Sequence, residues 1–238
     1  MGVPAQSGPG ADPAEVADTY KGDQGAKYFE YQRGIGTMVG RLNARMFEPF
    51  LEPDDVVLDF GCGAGSLLNA LDTARKIGIE PNDSARRECL AAGLECLASP
   101  TEVPDASVDV VITNHVLEHV PYPIGALREL RRILKPSGKL LICVPIDDWR
   151  AQRRFDERDP NHHLQTWTPL LLGNTLHEAG FRFDRGDIRV VTEAWPPRIE
   201  TLERILPGRV LNVTMRLWSM LRNRRQILAI ATPISNLP

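Results

Sequence analysis

Long apolar runs are missing from this chain. No stretch of its 238 residues approaches the roughly 18–20 consecutive apolar residues of a membrane span, so no span is expected. An excess of one charge sign is missing too. With 28 basic and 31 acidic side chains the net charge is −3, and composition gives no nucleic-acid footprint. Cysteine is scarce. The four present (Cys62, Cys89, Cys96, Cys143) show no C-x-x-C spacing and read as reduced core thiols of a cytoplasmic protein. The first ten residues lack both the charged and the apolar region of a signal peptide, so residues 1–18 read as a flexible tail. The sequon Asn212-Val213-Thr214 carries no weight without secretion. Internal repeats and a second complete core are also absent.

What is present is an alternation of strand and helix patterns. A helical segment over 19–52, with Tyr20, Tyr28, Phe29 and Tyr31 among its aromatics, closes at Pro53-Asp54-Asp55. Strands are expected at Val56–Phe60, Lys76–Glu80, Leu94–Ala98, Val108–Thr113 and Lys139–Val144, separated by helices to about Thr73, Ala92 and Leu134. The near-continuous apolar run of the fourth suits a strand buried on both faces. A helix over Pro169–Ala179, a strand-rich Arg182–Ala194 and a last strand at Gln226–Ala231 follow, with an insertion over 196–225 before that strand. Residues 19–238 therefore read as one doubly wound α/β domain with a helical N-terminal cap. Its sheet is expected to have seven strands, mostly parallel, with an antiparallel last strand.

The chemistry begins at Val57-Leu58-Asp59-Phe60-Gly61-Cys62-Gly63-Ala64-Gly65, a strand running into a Gly-x-Gly-x-Gly turn and then a helix. Glycines at alternate positions let the backbone turn sharply and approach a ligand closely. The helix that follows aims its free N–H groups at the turn. The dinucleotide fingerprint wants a third glycine where Ser66 stands. An acidic Asp59 beside the turn suits a cationic amino-acid tail better than a pyrophosphate. Glu80 ends the second strand, fifteen residues after Gly65, where a carboxylate can take both hydroxyls of a ribose. The lesser alternative is a carboxylate that helps the N-terminus of the next helix.

Four ordered motifs over residues 55–145 resemble those of the class I S-adenosylmethionine (SAM) dependent methyltransferases. They are the glycine turn behind Asp59, Gly78-Ile79-Glu80-Pro81-Asn82, the stretch from Ser107 to Val120, and Leu130–Lys139. The resemblance implies a Rossmann-like fold with SAM as cofactor, held around Asp59, Gly61, Cys62, Gly63, Gly65 and Glu80. It further implies Pro81 and Asn82 beside the adenine, Asn114 and His115 on the methionine side, and Ser99 where the family often has an acidic adenine contact. His115-Val116-Leu117-Glu118-His119 also spells an inverted zinc-protease signature. Pro121 and Pro123 end any helix there within a turn, so no metal ligands are assigned, and His119 reads as a structural or pocket-wall histidine.

The segment Ile146–Trp167 leaves the end of the fifth strand and is long enough to cover a reaction site. Methyl transfer to a hydroxyl needs a base, and an imidazole titrating near neutrality suits that role. His163 is the first candidate and His162 the second, with Asp147 or Asp148 as orienting carboxylate. The alternative is that one histidine caps the Pro169 helix and the other is solvated. Tyr28 and Tyr31 can either reach the SAM amino-acid end or pack as core aromatics. The insertion's apolar face (Val210, Leu211, Met215, Leu217, Trp218, Met220, Leu221) suits a helix covering the sheet edge or a dimer contact. With its neighbouring arginines, it also suits peripheral lipid contact. The expected reaction is O-methylation of a small molecule, with a sugar or carrier-linked glycan among the acceptors. The rivals are N- or C-methylation of a metabolite or lipid, an NAD-dependent oxidoreductase and a non-catalytic SAM-binding protein.

Overall fold

The computed structural model describes residues 20, 22–33, 36–147, 154–157, 159, 161–192, 199–222 and 224–234. The expected tail, Asp148 and the first residues of the insertion lie outside the described residues, as does the side chain of Tyr31.

Eight strands form one sheet. They are β1 (Val56–Phe60), β2 (Arg75–Ile79), β3 (Glu95–Leu97), β4 (Val108–Asn114), β5 (Leu134–Pro145), β6 (Phe181–Arg182), β7 (Ile188–Thr192) and β8 (Arg225–Pro233). Their order is β3-β2-β1-β4-β5-β8-β6, with β7 also on β8. The first five are parallel, and β8 runs antiparallel to β5, β6 and β7. The expected seven positions are therefore all filled. The count reaches eight because the strand-rich segment breaks at Phe183–Asp187 into two pieces lying end to end along β8.

The helices are α1 (Gly22–Arg33), α2 (Gly36–Phe47), α3 (Ser66–Ala70), α4 (Asp83–Ala91), α5 (Pro123–Ile133), α6 (Pro169–Glu178), α7 (Ile199–Ile205) and α8 (Gly208–Leu221). Two apolar layers sandwich the sheet. Leu127, Leu130, Leu172 and Leu176 of α5 and α6 fill one face, while Ala44, Phe47, Leu68 and Cys89 fill the other. Among the described residues no helix is long and apolar enough to cross a membrane.

Two boundaries differ from the sequence reading. Helix α3 stops at Ala70, three residues early, because Leu71 is already extended (φ −83°, ψ 147°). Helix α5 ends at Ile133, and Leu134, Pro136 and Gly138 belong to β5 rather than to a stop signal before it. Proline biases its predecessor to extended backbone. The extra residues are absorbed where the β4–β5 register jumps between Val108 and Val110.

The chain crosses from β3 at one edge to β4 beside β1, so the carboxyl ends of β1 and β4 flank the topological switch point. Parallel pairing in unbroken register from Val57↔Val110 to Phe60↔Thr113 holds both ends level. The cavity described below opens at that rim.

Candidate active site

A cavity of about 390 Å³ opens at this rim, within the range of small-molecule sites. Of the expected cofactor residues, Tyr28, Gly61, Gly63, Glu80, Pro81, Asn82, Asn114 and His115 line it. Gly61, Gly63 and Gly65 have φ of 81°, 55° and 76°, the left-handed region that side chains disfavour. They serve different ends. A Cβ on Gly61 would lie 2.4 Å from Val116 Cγ2, and one on Gly65 would lie 2.4 Å from Leu94 Cδ1, whereas one on Gly63 would meet no protein atom within 4 Å. Gly63 faces the cavity, while Gly61 and Gly65 let the loop pack.

The loop's own N–H groups decide between ligands. Gly61 and Cys62 both donate to Ile79 O (2.8 and 3.1 Å), Gly65 donates to Cys62 O (2.9 Å), and Gly63 donates to Glu80 Oε2 (2.9 Å). A pyrophosphate needs such donors free, and here one of them already holds a carboxylate. A neutral ribose with a cationic amino-acid tail meets no such conflict. Glu80 Oε1 accepts from Asn82 N at 2.8 Å, so the carboxylate also serves the approach to α4. Each of its oxygens keeps a lone pair for a ribose hydroxyl. Burial pushes the Glu80 carboxyl up, opposed by these two N–H groups and by Arg86. Asn82 is the N-cap of α4, accepting from Ser84 N and Ala85 N.

Four expected contacts, the packed Gly65 among them, are not on the cavity wall. Cys62 turns its Sγ away from the cavity, 3.8 Å from Cys89 Sγ and 3.6 Å from Cys96 Sγ. Asp59 is buried beneath the loop, and burial, with Cys89 and Glu80 adding repulsion, pushes its carboxyl up to about 8. Ser99 forms a capping box with Glu102 and is not among the lining residues.

His163 also lines the cavity, and its Nδ1 pairs with Asp147 Oδ2 at 2.9 Å. Burial pulls the imidazole down, but the hydrogen bond and charge of Asp147, aided by Glu118, outweigh it and leave His163 raised. His162 is exposed and does not line the cavity. Neither histidine caps α6. Thr168 does, its Oγ1 accepting from Leu171 N at 3.1 Å.

The sequence reading missed a constellation built from distant segments. Tyr20 Oη donates to Asn161 O (2.6 Å), so it accepts from His119 Nδ1 (2.7 Å). That tautomer leaves His119 Nε2 as a bare lone pair, 4.0 Å from Glu118 Oε1. Burial and the nearby His163 pull His119 down to about 3, which keeps it neutral. His163, donating from Nδ1 to Asp147, likewise presents a bare Nε2. Glu118 is fully buried, and among the described residues neither carboxylate oxygen has a hydrogen-bond partner. One ligand atom each from Glu118, His119 and His163 lie within 4.8 Å of one another, a set able to hold a metal ion. This grouping is not the H-x-x-E-H pair, because His115 instead turns Nε2 to Gln226 Oε1 at 2.9 Å. Only Glu118-His119 was adjacent in sequence, so no local spacing marked the third donor.

A family model described as a methyltransferase domain matches residues 31–185. An uncharacterised 37.1 kDa protein from a Streptomyces fradiae transposon is 39% identical over 125 residues, 47% of this chain and 34% of that protein. A ubiquinone biosynthesis O-methyltransferase of Vibrio campbellii is 35% identical over 100 residues, 37% of this chain and 43% of that enzyme. The chain thus spans less than half the length of these two curated relatives. A SAM-dependent methyltransferase from Archaeoglobus fulgidus shares the fold, with a TM-score of 0.61 at 20% identity, covering 86% of this chain and 99% of that one. The glycine loop with Gly63 N already holding a carboxylate, Glu80 on the cavity wall and the strand order agree with these matches. The chain belongs to the methyltransferase-domain family, class I in its strand order, and S-adenosylmethionine is its cofactor.

Proposed function

We propose that the protein transfers a methyl group from SAM to a hydroxyl of a small-molecule acceptor, with His163 as general base and Asp147 as its orienting partner. When bound, SAM supplies the electrophilic methyl. Gly63 and Glu80 hold the nucleoside, and Asn114 and His115 border the other end of the same cavity. Asp147 fixes the His163 tautomer, so that Nε2 can take the acceptor's proton as the oxygen attacks. Tyr28 and the buried Tyr20 wall the cavity and restrict water. The observation that carries this reading is the Asp147–His163 pair on the wall of the cavity that the glycine loop enters. The O-methylating relative from Vibrio campbellii favours a hydroxyl over an amine or carbon acceptor. A polyhydroxylated acceptor such as a sugar or carrier-linked glycan would offer several such groups.

The test pairs turnover with binding. His163→Ala should lose methyl transfer across a panel of hydroxylated acceptors while binding S-adenosylhomocysteine (SAH) as tightly as the unaltered protein in calorimetry. Retained turnover would remove the base assignment. SAH binding by the unaltered protein with no transfer to any acceptor would leave a non-catalytic SAM-binding protein.

The buried Glu118 carboxylate, which makes no hydrogen bond among the described residues, favours a second reading. A divalent cation on Glu118, His119 Nε2 and His163 Nε2 would acidify the acceptor hydroxyl directly. Asp147 would then orient a metal-ligating histidine from the outer shell. Turnover that survives exhaustive chelation, with no metal retained by elemental analysis, rules this reading out.

A further inference from the structure

Helix α8 carries two apolar faces, and the fold uses one. Leu211 is buried against Leu42 and Ile199, with Met215 packed alongside. The other face consists of Val210, Val213, Leu217 and Leu221, which are 47%, 58%, 56% and 80% exposed. At 100° per residue these four fall within an arc of about 80°, a continuous aliphatic stripe. Scattered exposed aliphatics need no explanation, but an aligned stripe of four does.

The charges around the stripe are of one sign. From Arg204 to Arg225 the chain has six arginines and no Asp, Glu or Lys, in a protein of net charge −3. Arg209 and Arg216 flank one side of the stripe and Arg222 the other, all exposed. Arg222 also stacks over the Trp218 ring, with Cζ 5.0 Å from the centroid, which sets an amphipathic aromatic at the polar boundary.

We propose that α8 docks this protein on an anionic lipid bilayer. The helix lies in the interface, the aliphatic stripe enters the acyl boundary, and the arginines reach the anionic head groups. Two other occupants fit the stripe less well. A second copy packed about a twofold axis would bring two sets of arginines together with no acidic residue on α8 to pair them. Four side chains also fall far short of the roughly 800 Å² per partner of a stable interface. A nucleic acid would engage the arginines but would press its phosphates against the aliphatic stripe. Docking also bears on the cavity. Leu42 touches the buried face of this helical pair, and Val39 and Asn43 of the same α2 line the cavity. The proposal rests on α8 alone and stands apart from the methyl-transfer reading.

The experiment is co-sedimentation of the full chain with phosphatidylcholine vesicles, with or without about a third phosphatidylglycerol. Binding to the phosphatidylglycerol vesicles should exceed that to phosphatidylcholine alone by about tenfold or more and weaken as salt rises. Leu217→Glu with Leu221→Glu should abolish it, with SAH affinity and circular dichroism unchanged. Arg209→Glu with Arg216→Glu should remove the lipid selectivity. Equal binding to both vesicles, or none, overturns the proposal. So does a dimer in sedimentation velocity that the leucine double variant splits, or tighter binding to an oligonucleotide than to anionic vesicles.

Discussion

Asp147 Oδ2 accepts from His163 Nδ1 at 2.9 Å, and this contact determines which ring nitrogen the cavity receives. Both partners are more buried than exposed, so the pair is less screened than a surface ion pair. A base works when neutral, so kcat should rise with pH as His163 loses its proton, with an apparent pKa above the ordinary histidine value. Asp147→Asn removes the carboxylate that raises it. The acidic limb should move to lower pH and kcat should fall by about 10–100-fold, read from pH-rate profiles. An unmoved limb would separate His163 from the proton transfer.

Glu80 joins the loop and the approach to α4 through one carboxylate on the cavity wall. Glu80→Ala frees Gly63 N and Asn82 N together. Calorimetry should show SAH bound at least about tenfold more weakly, the loss of one charge-assisted hydrogen bond or more. Because the change falls in cofactor affinity, saturating SAM should restore much of kcat.

The three loop glycines are not equivalent, and alanine at two of them shows it. Gly61→Ala combines a left-handed backbone with a 2.4 Å approach to Val116, so thermal denaturation should show a loss of several kcal/mol. Gly63→Ala has no protein neighbour to meet and should cost only about 1 kcal/mol of stability. Its methyl enters the cavity, so SAH affinity should fall more than stability does. Equal losses of stability in the two variants would contradict these separate roles.

Asp59 makes the ligand-free fold lose stability as pH rises from about 4 to about 8. Its folded pKa of about 8 lies above the ordinary value of 3.8. Between those values the folded state holds a proton that the unfolded chain has lost, so stability falls as pH rises through this window. Asp59→Asn removes that slope. The variant should be more stable than its parent at pH 8 by about 1 kcal/mol or more, with the difference vanishing near pH 4. Urea titrations without cofactor at the two pH values provide the check.

The strands were legible because apolar runs such as Val108–Ile112 and Leu140–Val144 are buried on both faces and carry a strong local signal. Asn82, Glu80 and the glycines were legible for a related reason: turn, cap and strand end lie close in sequence. What could not be read arises from contacts with no local trace. Tyr20 meets His119 across 99 residues, and His115 meets Gln226 across 111. The direction of the Cys62 side chain, toward Cys89 and Cys96, is likewise set by the fold and has no local trace. The spacing Ser99-x-x-Glu102 is that of a capping box, a local signal the sequence reading did not use. His162 and His163 are neighbours in sequence, and the left-handed backbone at His162 (φ 45°) marks where the chain turns between them.

Gln226 comes from β8, the latest of the described strands to leave the ribosome, yet it holds His115 at the rim of β4. A nascent chain that has completed β1 to β5 already carries the glycine loop, Glu80 and Asn114. It has no strand to cover β5 and lacks the Gln226 contact to the His115 ring. Synthesis therefore delivers the cofactor cradle well before the wall that completes it. Truncation ahead of Arg225 should give a chain that exposes the open edge of β5 to partners it was never meant to meet.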